Sequence, residues 1–176
     1  MINLQTLILG GVRSGKSRLA ERLALDSKLP VTYIATATAQ DKEMHQRIAL
    51  HRAHRPEHWH VIEEPIKLGA AISKQALNGH CILVDCLTLW LTNLLIAENE
   101  SFFEHERKAF FTALPTVTNR IIFVSNETNM GVTPMGELSR RYCDEVGQLH
   151  QALAQHCDQV ILTVAGLPHV LKGERL

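Results

Sequence analysis

The sequence predicts an α/β fold: one domain over residues 1–176, with a doubly wound, mostly parallel sheet flanked by helices. Three observations carry that expectation. Short apolar runs alternate with stretches of helical periodicity along almost the whole chain, the pattern of strand–helix–strand crossovers. The first apolar run ends in a glycine-rich turn that opens directly into a helical stretch. Pro30, Pro56, Pro65 and Pro115 fall between the predicted elements, where they interrupt nothing.

The first strand covers Leu4–Leu9 and runs into the most informative segment of the chain. Gly10-Gly11-Val12-Arg13-Ser14-Gly15-Lys16-Ser17 satisfies the Walker A pattern, Gly-x-x-x-x-Gly-Lys-Ser/Thr, at every fixed position. Glycines let the backbone wrap so that successive N–H groups converge on phosphate oxygens. Lys16 can reach the β- and γ-phosphates, and the Ser17 hydroxyl can ligate Mg²⁺. The next helix, Lys16–Asp26, places Leu19 and Leu23 on one face and aims the positive end of its dipole at the same anion. Strand, loop and helix together predict a P-loop NTPase-like site that binds a nucleoside triphosphate.

Further strands are expected at Val31–Ala35, His60–Glu63, Cys81–Asp85, Arg120–Ser125 and Gln159–Val164. Helices are expected at Asp41–His54, Ile66–Leu77, Leu89–Ala97, Phe102–Leu114 and Gly136–His156. Ligands of such sheets sit outside the carboxyl ends of the strands. That rule selects Gly10 to Ser17, Thr36 to Thr38, Glu63 and Glu64, Asp85, and Asn126 with Glu127. Asp85 closes the apolar run Ile82-Leu83-Val84, the Walker B form, in which the carboxylate holds Mg²⁺ directly or through water. Standing alone it would read as a turn or cap acid; a complete Walker A loop favours the metal role.

Composition narrows the partners. The 176 residues are 45% hydrophobic and 20% charged, with formal net charge zero, so no broad field favours nucleic acid or an anionic membrane. No apolar run reaches the ~20 residues of a membrane-spanning helix, and the N-terminus lacks the basic start and apolar segment of a signal peptide. Cys81, Cys86, Cys143 and Cys157 show no paired spacing; Cys81 and Cys86 are expected to be small apolar residues beside a buried strand. A reducing cytoplasm is the expected compartment.

Residues 41–60 hold five of the ten histidines. Glu43, Arg47, His51 and Arg55 follow an i, i+4 progression and form one stripe on the predicted helix. Arginines one turn to either side would lower the proton affinity of His51 and could grip phosphate oxygens. A neutral imidazole beside phosphate can serve as general base or nucleophile. The same stripe also reads as a solvated basic face. The spacing of His51, His54, His58 and His60 matches no recognised zinc pattern.

Together these segments resemble the bifunctional adenosylcobinamide kinase/adenosylcobinamide-phosphate guanylyltransferases of cobalamin biosynthesis. The resemblance is carried by LILGGVRSGKS at the start, TYIATA at 32–37, EMHQRIALHRAHRPEHW at 43–59 and VIEEP at 61–65. LVDCLTLWLTNLL at 83–95, VSNETNMGV at 124–132 and VAGLPHVLK at 164–172 extend it over nearly the whole chain. Four positions depart from the family pattern: Thr128-Asn129 replaces Val-Gly, Cys143 an arginine, and His150 an asparagine.

The resemblance implies two reactions at one nucleotide site. A γ-phosphoryl group passes from ATP or GTP to the aminopropanol hydroxyl of adenosylcobinamide. GTP then loses pyrophosphate to an enzyme histidine, and the GMP passes to the phosphorylated cobinamide. The histidine falls on His51, with Lys16 as the second catalytic residue. Nucleotide contacts fall on Gly10, Gly11, Val12, Arg13, Ser14, Gly15, Lys16, Ser17, Thr36, Ala37, Thr38, Arg52, Ala53, His54, Arg55, Glu63 and Asp85, with Mg²⁺ on Ser17 and Asp85. Similar proteins form homotrimers.

Two other readings stay open on the residues alone. A plain P-loop small-molecule kinase would use Lys16, Ser17 and Asp85 without needing His51. A GTP-dependent switch would bind GTP with little turnover, but its guanine-reading Asn-Lys-x-Asp segment is replaced by Ser125-Asn126-Glu127-Thr128.

Overall fold

Strand residues alternate between two apolar faces, and this forces helices onto both sides of the sheet. In the first strand Leu7 and Leu9 enter one core and Ile8 the other. In the computed structural model, which describes residues 4–38 and 56–174, the strands are β1 (Gln5–Gly10), β2 (Val31–Ala35), β3 (His60–Glu63), β4 (Cys81–Asp85), β5 (Ile121–Asn126), β6 (Gln159–Val164) and β7 (Leu167–Lys172). They form one sheet in the order β3-β2-β4-β5-β1-β6-β7. All pairs are parallel except β6–β7.

Helix α1 (Lys16–Asp26) covers one face, burying Leu19, Ala20, Leu23 and Ala24 against Ile8, Leu83, Ile122 and Val124. The opposite face is covered by α2 (Leu68–Ala76), α3 (Leu87–Ile96), α4 (Glu100–Ala113) and α5 (Glu137–His156). There Trp90, Phe103, Phe110 and Phe123 form an aromatic centre, with Phe110 ringed by Trp90 at 5.1 Å and Phe123 at 5.7 Å. Helix α5 puts Val146, Leu149 and Leu153 into the same core. Among the described residues no helix is long and apolar enough to cross a membrane.

The α/β expectation is met, with β2, β3, β4, β6 and α1 at the expected bounds. Strands β1 and β5 each lie one residue further along than expected. Helix α3 begins at Leu87 rather than Leu89, because Cys86 has extended backbone and the chain turns immediately after Asp85. Helix α4 begins at Glu100 rather than Phe102, because the Asn99 side chain accepts from the Phe102 amide and caps it. The last strand, β7, is not among the expected elements. Its residues are almost all exposed, so no two-residue apolar alternation marks it. The helix expected over Asp41–His54 lies outside the described residues.

The strand order decides what meets at the carboxyl edge. β5 lies between β1, which ends in the glycine loop, and β4, which ends in Asp85. Register places Gly10 beside Asn126 and Thr163, and Ala35 between Asp85 and Glu63.

Candidate nucleotide site

The loop after β1 folds as the motif requires. Arg13 and Gly15 take left-handed backbone, φ 56° and 96°, and such alternations turn successive N–H groups toward one concavity. Gly10 could be nothing larger: a Cβ there would sit 2.4 Å from Ser14 Oγ and 2.6 Å from the Thr163 carbonyl oxygen. The Ser14 amide donates to the Gly11 carbonyl at 3.2 Å, and the Glu127 amide donates to the Gly10 carbonyl at 3.0 Å. The loop is thus tied to β5 as well as to itself. Ser14 Oγ is buried with no hydrogen-bond partner among the described residues, while Val12 at the crest is 71% exposed.

Lys16 starts α1 and is buried, its Nζ donating to the Gly11 carbonyl at 2.9 Å. Burial lowers its pKa, and the negative charge of Asp85 pulls it back up. The two charged residues of the motifs therefore feel one another across the β1–β5–β4 edge. The Asp85 carboxylate accepts a hydrogen bond from the Tyr33 hydroxyl at 2.9 Å. Next to it, burial pushes the Cys86 thiol up to about 11, so Cys86 is a neutral thiol near pH 7 and no nucleophile. The hydroxyl of Ser17 and the carboxylate of Asp85 are hard oxygen donors of the kind Mg²⁺ takes alongside phosphate oxygens. The donor set fits that ion.

Thr36 is fully buried and functions as a clamp. Its hydroxyl donates to the Cys86 carbonyl at 2.7 Å and accepts from the Cys86 amide at 2.9 Å, joining the ends of β2 and β4. Asn93 on α3 donates to the carbonyls of Thr36 and Pro65 and accepts from the Thr38 hydroxyl. Ala37 lies between these fixed neighbours. Glu63 and Glu64 divide the work at the end of β3. Glu64 accepts from the amides of Ile66 and Lys67 and shapes the turn into α2, whereas Glu63 is exposed at the edge.

Beyond β5, Asn126 donates to the Thr88 hydroxyl at 3.0 Å. Glu127 accepts from the Asn129 amide at 2.7 Å and lies 3.8 Å from His150 Nδ1. The other ring nitrogen of His150 is 2.8 Å from the buried Ser125 hydroxyl.

The structure therefore gathers Gly10, Gly11, Val12, Arg13, Ser14, Gly15, Lys16, Ser17, Thr36, Ala37, Thr38, Glu63 and Asp85 along one sheet edge. His51, Arg52, Ala53, His54 and Arg55 lie outside the described residues. Sequence reasoning missed Tyr33 and Asn93. Asn93 left a signal, as the lone amide in the otherwise apolar run LTLWLTNLLI; Tyr33 left none, because an aromatic in a strand reads as core.

A glycine loop joining the first strand to a helix, with an acid ending a nearby parallel strand, defines a nucleotide-binding P-loop protein. The crystal structure of the RadB recombinase agrees in fold, with a TM-score of 0.54 at 18% identity over 90% of this chain and 73% of that one. A family model described as cobinamide kinase / cobinamide phosphate guanyltransferase matches residues 6–171. The bifunctional adenosylcobalamin biosynthesis protein CobP of Pseudomonas aeruginosa is 60% identical over 173 residues, 98% of this chain and 100% of that protein. CobU of Salmonella typhimurium, described in the same terms, is 36% identical over 177 residues, 93% of this chain and 97% of that protein. The chain belongs to the cobinamide kinase / cobinamide phosphate guanyltransferase family of enzymes.

Proposed function

We propose that one domain, residues 1–176, performs both family reactions at the site built on the glycine loop. In the first, the γ-phosphoryl group of ATP or GTP passes to the aminopropanol hydroxyl of adenosylcobinamide. In the second, GMP passes from GTP through His51 to the phosphorylated product, giving adenosyl-GDP-cobinamide. The observation that carries this reading is the placement of the glycine loop with Lys16 and of the strand-end acid Asp85 at the carboxyl ends of β1 and β4, on either side of β5, in a chain of this family.

The loop amides and Lys16 stabilise negative charge on the transferring phosphoryl group in the first step. In the second they do the same for the departing pyrophosphate. Ser17 and Asp85 would hold Mg²⁺, which when bound neutralises charge on the phosphate oxygens. In guanylyl transfer an imidazole nitrogen of His51 attacks the α-phosphorus, and the bond to the pyrophosphate oxygen breaks. A phosphate oxygen of the phosphorylated cobinamide then attacks the same phosphorus. The N–P bond breaks and the histidine is restored. One hard displacement becomes two easier ones. Arg52 and Arg55 would steady the α-phosphate, and Glu63 would meet the guanine edge or the ribose. We place the enzyme in the cytoplasm, as a homotrimer.

The test is incubation with Mg²⁺ and GTP radiolabelled at the α-phosphate, followed by denaturation and intact-mass analysis. An acid-labile, base-stable GMP adduct, absent from His51→Ala, is expected. A chain that transfers γ-phosphate but forms no adduct is a simple P-loop kinase. A His51→Ala variant that transfers guanylate at the parent rate overturns the mechanism.

A further inference from the structure

None of the residues placed in the two transfer reactions lies in the segment VAGLPHVLK at 164–172, yet the segment reaches the glycine loop. Residues 165 and 166 form the turn between β6 and β7, with left-handed backbone at both Ala165 (φ 51°) and Gly166 (φ 79°). That pair of angles is the type I′ hairpin turn. β6 is the neighbour of β1, with Thr163 beside Gly10, so the turn projects from the sheet edge alongside the loop. There the Gly166 amide donates to the Ser14 carbonyl at 2.8 Å. The approach is close: a Cβ on Gly15 would lie 3.1 Å from Gly166 Cα and 3.7 Å from Thr163 Cγ2.

The geometry of one peptide gives this bond a consequence. In a trans peptide the C=O and the following N–H point in opposite directions. A Ser14 carbonyl held outward on the hairpin therefore turns the Gly15 N–H away from the hairpin, to the concave side of the loop. The same loop holds left-handed backbone at Arg13 and Gly15, the alternation that turns successive N–H groups toward one concavity. We propose that Gly166 is a positioning residue for triphosphate binding: its N–H holds the Ser14–Gly15 peptide in the orientation that presents the Gly15 amide to a phosphate oxygen.

The inference rests on the glycine loop being the triphosphate site, and not on the histidine step. It predicts a loss confined to ligands that carry phosphates. A β-branched side chain at φ 79° cannot keep this turn, so Gly166→Val is expected to weaken GTP binding by roughly tenfold or more, the range set by losing a charge-assisted hydrogen bond. Guanosine, which carries no phosphate for the loop to bind, should change by less than about twofold. Gly166→Asn tolerates left-handed backbone and should keep affinity close to that of the parent. Among the described residues a Cβ at this position meets only Arg18 Nη2, at 3.5 Å, so steric conflict does not mask the result. A semisynthetic chain with an ester oxygen in place of the Gly166 amide nitrogen removes the donor while leaving every side chain unchanged, and should lose GTP selectively.

Binding is measured by competition with a fluorescent GTP analogue, with GTP and guanosine as competitors and no acceptor substrate. An ester chain with unchanged GTP affinity overturns the proposal, as does one that loses GTP and guanosine equally. A parent chain that binds GTP but forms no covalent adduct refutes only the histidine step. A parent that binds no GTP refutes the nucleotide reading itself.

Discussion

The Tyr33 hydroxyl donates to the Asp85 carboxylate at 2.9 Å, from the strand next to the one Asp85 ends. The bond fixes a strand-end acid that would otherwise rotate freely at the sheet edge. Tyr33→Phe removes the hydroxyl and keeps the ring, which stacks on Trp59 with centroids 6.3 Å apart. Partners that orient a metal-binding carboxylate typically contribute about 10- to 100-fold. We expect kinase kcat/KM to fall about tenfold with a raised Mg²⁺ requirement and an unchanged melting temperature. Asp85→Asn should fall further. An unchanged Mg²⁺ dependence in Tyr33→Phe would detach Asp85 from the metal.

Lys16 is held at the base of the loop by the Gly11 carbonyl, 2.9 Å from Nζ. Lys16→Met keeps the length of the chain and removes the charge. Loss of one donor aimed at developing phosphate charge costs about 10²- to 10³-fold in kcat, and both reactions should fall together. Because burial disfavours the ammonium form, removing the charge should leave stability equal to or above that of the parent. Steady-state rates for both half-reactions, set beside a urea midpoint, check the two halves of the prediction. Phosphoryl transfer that survives at the parent rate would exclude Lys16 from the chemistry.

The edge of the sheet was legible in the sequence because its residues carry chemistry in fixed local spacing. Gly10 to Ser17 is one continuous motif, and Asp85 ends an apolar run. The residues that hold the edge together were not legible, since each acts on a partner far along the chain. Thr36 bonds Cys86, Asn93 reaches back to Thr36 and Pro65, and Gly166 bonds Ser14. Such pairings follow from strand order, which local periodicity does not encode. β7 was missed for a related reason: as an exposed edge strand paired, among the described residues, only with β6, it has no buried face to impose alternation. His150 read only as a departure from a family pattern, until the fold placed it against Ser125 and Glu127.

Gly69 shows how tightly α2 and α4 approach. A Cβ at Gly69 would meet the Ala109 carbonyl carbon at 2.5 Å, its oxygen at 2.6 Å and the Phe110 amide nitrogen at 2.6 Å, all backbone atoms. Backbone cannot rotate away as a side chain can, so the helices must separate. Gly69→Ala is therefore expected to destabilise by about 1–3 kcal/mol, the cost of overpacking, despite the better helix propensity of alanine. Urea denaturation measures it; a stabilised variant would refute so close a crossing.

His150 gives the fold a dependence on acid whose sign can be worked out. It is buried between α5 and β5, one ring nitrogen 2.8 Å from Ser125 Oγ and the other 3.8 Å from Glu127 Oε2. Burial lowers its pKa below the ordinary 6.5, and the Glu127 carboxylate opposes that shift without cancelling it. Between the folded value and 6.5 the unfolded chain binds the proton and the folded chain does not, so stability rises with pH across that window. Above 6.5 both states are neutral and the His150 contribution is fully present; below the folded value both are charged and it is lost. His150→Gln can still hydrogen-bond Ser125 but does not titrate. The difference in urea midpoint between parent and variant should therefore change in the parent's disfavour as pH falls from 7.5 toward 5, and should be flat above about 7. A parent that gains stability relative to His150→Gln on acidification would mean that the Glu127 ion pair outweighs burial, and that protonated His150 tightens the joint between β5 and α5.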